Sequence, residues 1–235
     1  MRSLPNFIFL FALYFTSLFF TAHATPPALK TVLSPGAIVY RVVTGGELAY
    51  IDSYVAGSQP PHYLPIAGDF AKYGALYTFA TLQEALEWGM HVSGFYYKQP
   101  SDHIKHAEYI YNFYIVEMKY DPKDLKPTTK FFAKGGQDYI SFVQGNYPAG
   151  QATLQWEGEP KPAVADIIEG PMSGALGKEP PVRSLGSSPG LYNHQIAFAS
   201  DKALACLTVV TKIHSDELKI KPTAPGQPPS CCNVQ

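Results

Sequence analysis

Apolar and polar positions along this chain alternate in short runs that read as strands, broken three times by helices. Residues 37–44, Ala-Ile-Val-Tyr-Arg-Val-Val-Thr, are rich in β-branched side chains and stop at Gly45-Gly46, which predicts a strand with Val39, Arg41 and Val43 on one face. Residues 74–80 predict a second strand. It runs directly into Thr81-Leu-Gln-Glu84, a capping-box pattern that opens a helix with apolar positions at Leu82, Ala85, Leu86 and Met90. Farther on, 109–120 reads as a long aromatic strand, 137–145 as a short helix and 164–170 as a strand. The run 194–199 then passes into a helix begun by Ser200-Asp201, whose short polar side chains suit free backbone amides, and 207–213 returns as a strand. Strands outnumber helices, so the expected class is α+β.

Glycine and proline gather at 57–68, 121–127, 145–162 and 170–192, which marks loops inside one unit and no linker between two. Sixteen Tyr and fourteen Phe supply a large core, and no internal repeat is visible. The formal net charge is −1, with no basic stripe and no long run of like charge, which argues against nucleic acid as a partner.

The ends bear on where the protein works. Arg2, an apolar run from Phe7 to Phe20 and the small-residue pattern Ala22-His-Ala24 have the order of a cleavable secretory signal peptide over residues 1–24. The apolar run is about 14 residues, short of the ~20 that a spanning helix needs, so no stable membrane anchor is expected. A single domain over 25–220 and a proline-rich tail over 221–235 complete the organisation, and the mature protein is expected to be secreted and extracellular. All three cysteines, Cys206, Cys231 and Cys232, fall near the C-terminus, and an oxidising compartment favours a bridge from Cys206 to Cys231 or Cys232. Three thiolates without a histidine at ligand spacing do not make a zinc site, and no Asn-x-Ser/Thr sequon is present.

Several groups offer chemistry. Arg41 places a permanent charge on an apolar strand face, where it must meet an anion. Either Asp69 or Asp166 pairs with it in the core, or its fork grips a phosphate or ribose. Gly186-Ser-Ser-Pro-Gly190 has the letters of a hydrolase nucleophile elbow, but Pro189 has no amide for an oxyanion hole and no strand turns into a helix there. His103 and His106 lack a third metal ligand and read as loop histidines. Glu157 and Glu159, in Gln155-Trp-Glu-Gly-Glu159, are paired carboxylates of the kind that stabilise a cationic sugar, although a solvated turn also produces such a run.

Taken in order, several of these segments resemble the ADP-ribosyltransferase superfamily. They are Tyr40-Arg41-Val42, Asp69-Phe70 with 74–79 and Ala85-x-x-Trp88, the run 139–146, Asp166-Ile-Ile-Glu-Gly-Pro171, and Asn193-His-Gln195-Ile-Ala-Phe198 followed by Ala203-Leu204 and Leu207. The likeness spans roughly 37–212. It is nearest to an uncharacterised bacterial and fungal branch, with partial likeness to the heat-labile enterotoxin A-chain type. The resemblance implies a split β-sandwich with flanking helices that binds NAD as substrate in a cleft between two small sheets, and a secreted toxin or effector acting on an unknown target protein of a host or competitor. It implies that Arg41 holds the dinucleotide and that Tyr77 and Thr78 form the wall against which nicotinamide packs. The third motif position normally carries a glutamate. In the nearest branch it falls at Gln195, and in the enterotoxin type at Glu157 or Glu159. Gln195 hydrogen-bonds a ribose but brings no charge to offset an oxocarbenium ion. The resemblance is therefore compatible with a slow transferase, with a binding protein that has lost the chemistry, or with an NAD glycohydrolase.

Overall fold

The computed structural model describes residues 28–63, 66–93, 111–146, 163–173 and 193–218. The leader at 1–24, the tail at 221–235, Cys231, Cys232, His103, His106, the Gly186–Gly190 run and the pair Glu157 and Glu159 lie outside the described residues.

Among the described residues seven strands form one sheet: β1 (Ile38–Thr44), β2 (Leu76–Phe79), β3 (Phe113–Tyr120), β4 (Thr129–Phe131), β5 (Ile167–Pro171), β6 (His194–Phe198) and β7 (Leu207–His214). Helices α1 (Leu82–Ser93), α2 (Gln137–Asn146) and the one-turn α3 (Asp201–Leu204) complete the α+β architecture. The strand order is β4-β5-β6-β2-β1-β3-β7, antiparallel except for the β4–β5 pair. Every strand and helix expected from the periodicity is present within a few residues. β4 is an addition, and it is too short to show a pattern.

The sheet has a seam. β1 pairs with β3 through seven consecutive residues, and β2 with β6 through four, but β1 and β2 meet in register only at Tyr40 and Phe79. Two small sheets, β4-β5-β6-β2 and β1-β3-β7, are thus joined along a line that almost lacks ladder pairing.

Alternation along the strands then divides the core. On one face Val39, Val43, Leu76, Val116, Met118, Ile167, Ile196 and Phe198 pack together beneath Tyr54 and the N-terminal residues Val32 and Leu33. On the other, α1 covers Val42, Phe79 and Ile115 with Ala85, Leu86 and Met90, while α2 covers Ile168 and Ala197 with Tyr139 and Val143. We call these the strap face and the helix face.

Local chemistry explains the boundaries. β1 ends where Gly45 takes φ 57°, a left-handed conformation that favours glycine, and a 3-10 helix over Gly45–Ser53 follows. The capping box forms as read: the Thr81 amide and hydroxyl both donate to Glu84 Oε2, at 3.1 and 2.7 Å, and the Glu84 amide donates back to Thr81 Oγ1 at 3.2 Å. Ser200 caps α3 by accepting from the Ala203 amide at 3.1 Å.

Asp166 fastens the start of β5. Its carboxylate accepts from the Thr128 amide (2.7 Å) and hydroxyl (2.9 Å) and from the Ser200 hydroxyl (2.6 Å), with Lys202 Nζ at 3.2 Å. Burial alone would raise its pKa, but the bonds from Ser200 and Thr128 outweigh burial and hold it at about 2. A carboxyl depressed in the folded state stabilises fully above its unfolded value, and that contribution disappears as the pH falls through the folded one. Stability is therefore expected to drop between the ordinary 3.8 and about 2. Urea midpoints followed across that window check this, and an Asp166→Asn variant whose profile still falls as steeply as the wild type would contradict it.

Cys206 is a buried free thiol whose Sγ lies 3.2 Å from the Lys202 carbonyl oxygen. Its expected partners Cys231 and Cys232 are outside the described residues. Among the described residues no helix is long and apolar enough to cross a membrane.

Candidate functional site

Arg41 lies at the seam, on the strap face, and is 7 % exposed. The partner expected at Asp69 or Asp166 is instead Glu47, six residues on in the 3-10 helix, with Arg41 Nη2 2.5 Å from Glu47 Oε1. Nε donates to the Tyr54 hydroxyl at 2.9 Å and Nη1 to the main-chain carbonyl of Tyr77 at 3.0 Å. Burial works against the charged guanidinium, but Tyr54 and Glu47 outweigh it and raise its pKa. The third contact is mechanical: a side chain of β1 holds the backbone of β2 where ladder pairing is sparse.

Tyr77 and Thr78 follow on β2 and point to opposite faces. Thr78 is fully buried on the strap face and donates through Oγ1 to the Ile196 carbonyl at 3.2 Å. Tyr77 is on the helix face, where its hydroxyl accepts from the amides of Phe70 (3.0 Å) and Ala71 (3.1 Å). Burial, and then the charge of Asp69, push the phenol far above its ordinary value. Gly68 leaves room for the Tyr77 hydroxyl, which a Cβ there would displace.

Gln195 pairs in register with Phe79 on one side and Gly170 on the other, which puts it on the helix face with Tyr77. Its Oε1 is buried and has no hydrogen-bond partner. Two positions earlier Asn193, 0 % exposed, has neither Nδ2 nor Oδ1 paired. The structure therefore gathers Tyr77 and Gln195 on one face and Arg41 and Thr78 on the other, and only the contact of Arg41 with the Tyr77 carbonyl joins the two pairs.

The segments that carry the family likeness also meet on the helix face. Asp69 accepts through its carboxylate from the Ser173 amide (2.6 Å) and hydroxyl (2.5 Å), and through its carbonyl from Asn146 Nδ2 of α2 at 2.7 Å. The Tyr139 hydroxyl donates to the Pro171 carbonyl at 2.7 Å, and Phe70 packs 6.5 Å from the Tyr77 ring. Beyond them opens a cavity of about 690 Å³, bordered by Phe70–Gly74, Phe142 and Asn146 of α2, and Ala199–Asp201. Its size and mixed lining suit a small ligand. None of Arg41, Tyr77, Thr78 or Gln195 lines it.

Sequence reasoning passed over the pair Glu169 and His194. Both are buried on the strap face, with His194 Nε2 2.8 Å from Glu169 Oε1. The same carboxylate accepts from the Thr31 hydroxyl (2.6 Å) and the Val32 amide (2.7 Å), so it clamps the N-terminal segment to the sheet. Burial alone would raise the Glu169 pKa, and the bonds from His194, Thr31 and Val32 lower it. The available signal was a glutamate inside the apolar strand Ile-Ile-Glu-Gly-Pro. Among the described residues no group of three or more His, Cys, Asp or Glu is placed to hold a metal ion.

Comparison with protein-family models, with curated proteins and with solved structures finds no match to this chain.

Proposed function

We propose that the chain is a secreted ADP-ribosyltransferase-like protein that binds NAD at the helix-face side of the seam. The observation that carries the reading is Gln195: a buried, unpartnered Oε1 on the same face as Tyr77, beside the line that divides the sheet into two small ones. A buried acceptor left without a donor costs about 1–3 kcal/mol, and a ribose hydroxyl supplies that donor. Tyr77 forms the apolar wall for nicotinamide, Thr78 ties β2 to β6, and Arg41 braces the seam and sets the β1–β2 spacing. The split of the sheet at Tyr40 and Phe79 supports the split β-sandwich of that superfamily. The acceptor is an unknown protein of a host or competitor.

One observation favours a second reading, a binding or effector protein that keeps the fold without the chemistry. The Arg41 charge is already neutralised by Glu47, and the neutral Gln195 leaves a developing oxocarbenium ion without a counter-charge. Glu157 is the carboxylate that the transferase reading would then require.

Calorimetry of the purified mature protein with NAD, combined with an assay for free nicotinamide, separates the readings. The expected result is NAD binding that Gln195→Ala weakens. Nicotinamide release with labelled protein marks a transferase, and release without label a glycohydrolase. Binding with no release marks the inactive effector. No heat of binding at millimolar NAD overturns the NAD reading.

A further inference from the structure

Asn193, immediately before β6, and Gln195 within it occupy alternate positions of one extended segment and therefore face the same way. Asn193 continues the β5–β6 pairing: its carbonyl accepts from the Met172 amide at 2.9 Å, one step beyond the Pro171–His194 pair. Met172 packs with Phe79 under α1, so both amides belong to the helix face. The two differ in what they lack. Gln195 lacks only a donor for Oε1, whereas Asn193 lacks a donor for Oδ1 and an acceptor for Nδ2. Buried side-chain polar atoms are nearly always paired, so three unpaired atoms on these two amides need an explanation.

A hydroxyl supplies what Gln195 Oε1 lacks. The complement of a whole unpaired amide is a second primary amide, which donates to Oδ1 and accepts from Nδ2 at once. A nicotinamide riboside carries both groups. We propose that Asn193 recognises the carboxamide of nicotinamide and so selects the amide form of the dinucleotide over its nicotinic acid counterpart. This inference rests on the NAD reading above and assigns a specificity role to a residue outside the Arg41, Tyr77 and Gln195 set. Asn193 is 0 % exposed in the free protein, so the site must open for the ligand, and association is expected to be slower than for an open groove.

The selection follows from charge and hydrogen count. A carboxylate in place of the carboxamide accepts from Nδ2 but has no proton for Oδ1, leaving that oxygen unpaired and opposed to an anion. The Glu84 carboxylate accepts from the intervening His194 amide at 2.6 Å, and it disfavours a ligand anion in every variant of Asn193.

The test measures binding of NAD and of nicotinic acid adenine dinucleotide to the wild type, to Asn193→Leu and to Asn193→Asp, together with thermal melting of each protein without ligand. Wild type is expected to prefer NAD by about tenfold or more. Asn193→Leu should lose most of that preference while melting at or above the wild-type temperature, because it removes an unpaired buried amide. Asn193→Asp, which keeps the shape and adds a charge, should widen the preference. An undiminished preference in Asn193→Leu overturns the role of Asn193 and leaves the NAD reading standing. Melting of Asn193→Leu well below wild type identifies a structural amide and overturns it as well. Absence of NAD binding by the wild type overturns both.

Discussion

Replacing Arg41 with Met is expected to lower the unfolding free energy by about 3 kcal/mol, the scale of breaking a buried ion pair by removing one partner. Three acceptors lose their donors together: the Tyr54 hydroxyl, the Tyr77 carbonyl and Glu47. Glu47 recovers part of its loss, because its side chain is 28 % exposed and water can reach it. Tyr54 is 5 % exposed, so its hydroxyl recovers little. Arg41→Lys should restore only a fraction, since one ammonium on a flexible stem cannot reproduce a planar fork directed at three groups. The urea midpoint should shift at unchanged slope. If Arg41→Met unfolds within about 0.5 kcal/mol of wild type, the guanidinium is no brace, and a direct role on the dinucleotide becomes the better account.

Tyr77→Phe comes next in size, at about 2–4 kcal/mol. The substitution removes no ring and opens no cavity. It strands the amides of Phe70 and Ala71, each a buried donor whose missing partner costs about 1–3 kcal/mol. The effect should be local, because Asp69 remains bound to Ser173 and Asn146. Hydrogen exchange is therefore the sharper measurement: amides 70 and 71 should lose protection while those of β3 keep theirs. Uniform loss across the sheet would show that Tyr77 supports the whole core. Burial holds the Tyr77 phenol neutral well above its ordinary pKa while the phenol of the unfolded chain ionises there, so this residue's contribution to stability is expected to decline as the pH rises past the ordinary value.

What could be read from the chain was what is local. β1 and α1 announce themselves through β-branched alternation and through the Thr81–Glu84 box, both of which act within a few residues. β4 did not: three residues pairing in parallel with β5, Thr129 against Ile167, carry no periodicity of their own. The partners of charged residues were harder still. Arg41 was placed on the correct face, but Glu47 reaches it only because Gly45 turns the chain into a 3-10 helix, a geometry that composition does not encode. Glu169 sits in an apolar strand because Thr31 and Val32, far away in sequence, come to meet it. The site was legible as a set of residues on particular strands. Their division between two faces was visible only through the registers of β1, β2 and β6, which place Tyr77 with Gln195 and leave Arg41 behind them.

The clamp on Glu169 also bears on the order in which the chain can assemble. Thr31 and Val32 lie 138 and 137 residues from the carboxylate that holds them, and the Leu29 amide is bound at 2.6 Å to Ala133. Residues 29–32 thus wait for partners synthesised far later. Contacts of such long sequence separation form slowly, because loop closure must be completed before they stabilise anything. Until β5 has emerged Thr31 and Val32 have no carboxylate to bind, although Leu29 can already reach Ala133. An incomplete chain is thereby kept from closing early. The segment that opens the described fold is thereby among the last to settle onto the sheet.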